Sequence, residues 1–103
     1  MRYQVVPAAR LLGERIRGAR IELGLSQEAI SELASMHVTN YGKIERGYAN
    51  PSLVTIVRIA GVLGTDVSAL TQGITAAHLP PELAVLNARE YVLERDRRAR
   101  GSR

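Results

Sequence analysis

The chain has no cysteine, no tryptophan and no phenylalanine, and four tyrosines are the only aromatics among its 103 residues. Without thiols there is no disulfide framework, thiolate zinc site or cysteine nucleophile, and nothing in the composition asks for an oxidising compartment. No stretch approaches the roughly 20 apolar residues needed to cross a bilayer. Tyr3 to Pro7 supply no apolar secretory core before Arg10. A soluble cytoplasmic protein without a membrane partner is expected. His37 and His78 are the only histidines, with no H-x-x-E-H pattern, nucleophile elbow or phosphate loop around them. Gly13 and Gly18 fall inside a helical stretch. No metal, cofactor or catalytic residue is expected, and the chain reads as a non-enzyme.

What the chain does have is 46% apolar residues, nearly all of them Leu, Ile, Val and Ala. Medium-sized side chains must interleave to fill a core, which favours helices packed on helices. The length suits one small domain. The net charge of +4 is unevenly placed: residues 1–73 carry eight basic and six acidic groups, and residues 89–103 carry six arginines against three acids. Such a balance permits a polyanionic partner but does not establish one.

Gly24, Gly47, Gly64 and Gly73 each follow a run of helical period, where a glycine in the left-handed conformation ends a helix. The first helix is expected over about Ala9 to Leu23, with Leu12, Ile16, Ala19 and Leu23 on one stripe and Arg15, Arg17 and Arg20 outside it. Ser26 caps a second, of about nine residues, with Ile30, Leu33 and Ala34 inward. A third begins near His37 and turns Tyr41 and Ile44 inward. Ser52 caps a fourth, whose stripe is Leu53, Ile56, Val57, Ala60 and Leu63. Asp66 caps a short fifth holding Val67 and Leu70. β-Branched residues cluster only inside these 3.6-period stretches, so the fold class is all-α: a compact five-helix domain with an added C-terminal helix.

The domain is placed at residues 9–73, with a linker over 74–80, a C-terminal helix over 81–98 started by Pro81, and a disordered tail over 99–103. Leu79, Leu83, Leu86 and Leu93 are expected on one face of that last helix. Glu94 with Arg98, and Asp96 with Arg100, are spaced as favourable i, i+4 pairs.

Two short helices joined by a tight turn, packed on a first helix and followed by a fourth, describe a helix-turn-helix. Gly24-Leu25-Ser26-Gln27, Ile44-Glu45-Arg46-Gly47 and Asn50-Pro51-Ser52, in register across residues 12–70, resemble the Cro/cI-type, lambda-repressor-like (XRE) family of DNA-binding domains. Ser35 stands where that family usually has a turn glycine. Ser31 replaces a common alanine, Val38 a frequent polar residue, and Gly42 lies inside the third helix.

The resemblance implies the lambda-repressor-like fold and a sequence-specific regulator bound to double-stranded DNA as a homodimer on a two-fold operator. It implies base contacts by Val38, Thr39 and Lys43, shared by His37 and Asn40. Lys43 suits guanine O6 and N7, the methyls of Val38 and Thr39 suit thymine, and Asn40 suits adenine or a phosphate. Locally, Val38 has the alternative of capping the edge of the core, as an exposed valine often does. Gln27 reads either as a solvent-facing residue after an N-cap or as a phosphate contact, and the resemblance implies the second. Arg46, Tyr48 and Asn50 are implied as further phosphate contacts, and Arg20 with Glu45 as a structural ion pair joining the first helix to the third. Dimerisation is expected through Val67, Leu70, Leu83, Leu86 and Leu93. Two alternatives stay open: a restriction-modification controller protein, or an antitoxin whose C-terminal segment binds a toxin.

Overall fold

The computed structural model describes residues 5–101. It contains six α-helices: α1 Pro7–Leu23, α2 Gln27–Leu33, α3 Val38–Glu45, α4 Leu53–Leu63, α5 Val67–Thr71 and α6 Ala88–Gly101. Short 3-10 turns at Ala76–His78 and Pro81–Leu83 lie between α5 and α6. No strand occurs among the described residues.

Local chemistry sets most boundaries. Pro7 opens α1, where its missing N–H costs nothing. The side chains of Ser26, Ser52 and Asp66 accept from the backbone N–H groups of Ala29, Thr55 and Ala69 at 3.0, 3.1 and 2.8 Å, capping α2, α4 and α5. All four terminating glycines have φ between 70 and 79°. Ser35, between α2 and α3, also takes a left-handed φ of 55°. Its own carbonyl and the one before it are held by Arg58, whose guanidinium donates to Ala34 O and Ser35 O.

The core is formed by Leu12, Ile16, Ile30, Ala34, Tyr41, Ile44, Ile59, Ala60, Leu63 and Leu70. It joins α1 to α3, α4 and α5, and α2 to α3 and α4. Several expected inward residues face out instead. Leu23 and Leu33 are exposed because each sits at a helix end beyond the reach of its neighbours. α4 is turned about its axis: Leu53 and Val57 are 67% and 51% exposed, while Ile59, absent from the expected stripe, is fully buried. The inward row is Ile59, Ala60 and Leu63 with the partly buried Ile56, which follows the i, i+3, i+4, i+7 pattern as well as the expected row does.

The C-terminal part differs most. The helix starts at Ala88, because Asn87 Oδ1 accepts from the N–H groups of Arg89 and Glu90 at 2.9 and 3.3 Å and so caps it there. Pro81 starts only a single 3-10 turn. Leu79, Leu83 and Leu86 therefore precede the helix, Leu93 alone lies on it, and the expected leucine face does not form. α6 continues through residues 99–101, which were expected to be disordered; the rest of that tail, 102–103, lies outside the described residues. Residues 74–80 hold a turn capped by Thr75, and Ile74 packs on the core. Glu94 pairs with both Arg97 and Arg98, and Asp96 with Arg95. No residue of α6 is buried. The Cα radius of gyration is 18.5 Å, against about 13 Å for a compact domain of about 100 residues.

Candidate nucleic-acid interface

α3 is seated by one close approach. A Cβ on Gly13 would lie 2.3 Å from Ile44 O and 2.5 Å from Glu45 O, so α1 meets the backbone of α3 where only hydrogen fits. With Tyr41 and Ile44 buried, the opposite side of α3 is left to solvent. His37, Val38, Thr39, Asn40 and Lys43 are all exposed there, Val38 at 40%, and so does not belong to the core. His37 is the N-cap residue, without a side-chain capping bond.

Behind that face lies a polar network. Arg20 Nε donates to Glu45 Oε2 at 2.6 Å and Arg20 Nη2 to Glu45 Oε1 at 3.0 Å, a forked pair whose side chains are only 13% and 1% exposed. Arg20 Nη1 also donates to Leu25 O at 3.0 Å, reaching the loop before α2. Gln27 Nε2 donates to Glu45 Oε1 at 2.9 Å. Burial by itself would push the Glu45 carboxyl up, but the bonds from Arg20 and Gln27 outweigh it and hold the carboxyl below its ordinary range. The Arg20 guanidinium is correspondingly raised, first by its hydrogen bonds to Glu45. Burial, and then the neighbouring Glu45 carboxylate, push the Tyr41 hydroxyl well above the usual tyrosine value.

Gln27 thus has a role that its local sequence does not disclose: one amide hydrogen braces the ion pair. Its Oε1 lies on the other side, 3.4 Å from where a Gly42 Cβ would stand, and Arg46 Nη1 lies 3.0 Å from the same point. The absent side chain at Gly42 is what lets Arg46 fold back along α3 beside Gln27. The Arg46 guanidinium carbon is 5.9 Å from the centre of the Tyr48 ring, within cation–π range. Arg46, Tyr48 and Asn50 are all exposed on the segment leaving α3.

The profile of the HTH_3 helix-turn-helix family matches residues 16–70. The chain belongs to this helix-turn-helix family. It is 41% identical over 59 residues to the immunity repressor protein of Bacillus phage phi105, covering 57% of this chain and 41% of that one. It is 37% identical over 60 residues to control protein C.SmaI of Serratia marcescens, covering 58% and 71%. Among solved structures, the restriction-modification controller protein C.AhdI from Aeromonas hydrophila superposes with a TM-score of 0.59 at 35% identity, over 60% of this chain and 94% of that one. Three of the curated relatives are longer proteins, of which the match covers 58%, 41% and 64%.

Among the described residues, apolar side chains stay exposed on α4 and again beyond the helix-turn-helix unit. One such surface is the outer side of α4, where Leu53, Val54 and Val57 are 67%, 67% and 51% exposed, although the helical period alone turns Leu53 and Val57 inward. The other is the C-terminal segment, with Leu83, Leu86 and Leu93 at 52%, 72% and 63%. Of the residues expected at a dimer contact, Leu70 is enclosed in the protomer's own core at 3% exposure, and Val67 is half-buried. Among the described residues no group of acidic or histidine side chains could hold a metal ion, and no helix is long and apolar enough to cross a membrane.

Proposed function

We propose that the protein is a sequence-specific regulator of transcription that binds double-stranded DNA as a homodimer on a two-fold operator, with α3 in the major groove. The observation that carries this reading is the exposed row His37, Val38, Thr39, Asn40 and Lys43 on a helix locked from behind by the Arg20–Glu45–Gln27 network, built on the buried Glu45 carboxylate. A rigid helix with polar and methyl groups outward is what base-edge reading requires. Lys43, Val38 and Thr39 meet bases; Arg46, Tyr48, Asn50 and the free face of Gln27 meet phosphates and fix the register. The dimer contact is the outer side of α4 with Val67. The printed names of the relatives, a phage repressor and a control protein, support the same reading.

Selection of bound duplexes from a random pool tests it: a two-fold sequence should emerge, and its absence would overturn the proposal. On that sequence Lys43→Ala should relax preference at one base position of each half-site by about 1 to 3 kcal/mol, while Asn50→Ala weakens all sequences alike. One observation favours a second reading, an antitoxin whose C-terminal segment holds a toxin: Tyr91, Val92 and Leu93 are exposed on a helix with no buried residue. Stoichiometric co-purification of a small protein lost on deleting α6 would decide for it.

A further inference from the structure

Beside the end of α3 lies an open cleft lined by Val5, Arg10, Glu14, Arg17, Glu45, Arg46 and Tyr48. Arg10, Glu14 and Arg17 follow i, i+4, i+7 spacing on the exposed stripe of α1. Two glycines bring that stripe against the chain leaving α3. Gly13 admits the carbonyls of Ile44 and Glu45, and Gly47, at φ 79°, runs so close to α1 that a Cβ would fall 2.8 Å from Arg10 Cα.

The charges in the cleft do not cancel. The Glu45 carboxylate is neutralised from behind by Arg20 and is 1% exposed. Glu14 is 60% exposed and pairs with Arg10 at 3.4 Å. Arg17 has no partner among the described residues, and Arg46 lies over Tyr48. Two arginines from different elements, each without a carboxylate partner among the described residues, thus face one concave surface that continues from the proposed DNA-reading helix. Arg10 and Arg17 are about 10 Å apart along α1, while one strand presents a phosphate roughly every 3.4 Å of axis.

We infer that this cleft is a second phosphate site, with Arg17 as its free cation, which takes the DNA backbone beyond the base pairs that α3 reads. The inference rests on the DNA-binding reading and adds to it a footprint longer than the recognised sequence. Glu14 works against the site by holding Arg10 and repelling the phosphate.

Two duplexes carrying the selected sequence test it, one ending at its last base pair and one extended by about five pairs on each side, enough to add several phosphates per strand. Arg17→Ala should weaken binding to the extended duplex and lower its log–log salt slope by about 0.9 per subunit, leaving the short duplex unaffected. Glu14→Gln should strengthen binding to the extended duplex alone. Equal effects on both duplexes, or none on the extended one, would overturn the cleft while the recognition reading stands. Failure of the unaltered protein to prefer the selected sequence would overturn both.

Discussion

A single hydrogen atom decides how α1 and α3 meet. Gly13 occupies a helix interior, where alanine would ordinarily be preferred by about 0.5 to 1 kcal/mol. Yet its Cβ would collide with two carbonyl oxygens of α3, backbone atoms that cannot rotate aside. Gly18, five residues further along the same helix, has nothing within 4 Å of the equivalent position. Gly13→Ala should therefore destabilise the domain by about 1 to 3 kcal/mol, as overpacking does, and Gly18→Ala should stabilise it by about 0.5 to 1 kcal/mol. Thermal unfolding of the two variants checks this, and equal shifts in one direction would refute the close approach. The sequence places both glycines in one helix but cannot tell them apart, because the partner of Gly13 is a backbone some 30 residues away. Gly42 is similar: it reads as a weak point of α3, and only the fold reveals the two side chains that need its space.

At the scale of elements, what could be read in advance followed from neighbours in the chain. Caps and left-handed glycines act over three or four residues, so the starts of α2, α4 and α5 and the end of α4 are legible in the sequence, and so is the outer face of α3 once Tyr41 and Ile44 turn inward. α4 was not, because Leu53 to Leu63 are apolar almost all round and two faces fit the helical period; the packed core chose between them. The Arg20–Glu45 pair is the bond between elements that the family resemblance implied, and its burial gives it a pH signature. Glu45 is depressed in the folded state, so its contribution is fully present above the ordinary carboxylate value of 4.5 and is lost as pH falls through the lower folded value. Glu45→Gln should flatten that acid limb of the stability curve. Arg20→Met or Glu45→Leu alone should cost about 3 kcal/mol by stranding a buried charge. The double replacement should cost clearly less than the sum. Additive losses in denaturant unfolding, with the acid limb unchanged, would mean that the pair does not couple α1 to α3.

For the whole molecule, the question is which apolar surface would join two copies in the proposed dimer. Recognition helices on adjacent major grooves must be held roughly 34 Å apart, and that demands a contact rigidly connected to α3. The outer side of α4 meets the requirement, since α4 shares the core with α1 and α2, and Arg58 ties it to the turn before α3. α6 does not. It follows a non-helical stretch from Ala84 to Asn87, and the molecule's longest extent is 66 Å against 34 and 20 Å for the others. The sequence favoured the C-terminal leucines because a helix begun at Pro81 would have aligned them, and Asn87 removed that alignment by capping the helix later. Leu79 and Leu83 instead line an apolar groove with Leu12, Ala49 and Ile56, so a truncation should spare them. Val54→Asp with Val57→Asp, both on exposed positions, should yield a folded monomer with weakened operator binding. Removal of residues 84–103 should leave the dimer intact. Sedimentation equilibrium of the two variants decides it: a dimeric double aspartate variant and a monomeric truncation would move the contact to α6, reinstating the C-terminal segment as the dimerisation element.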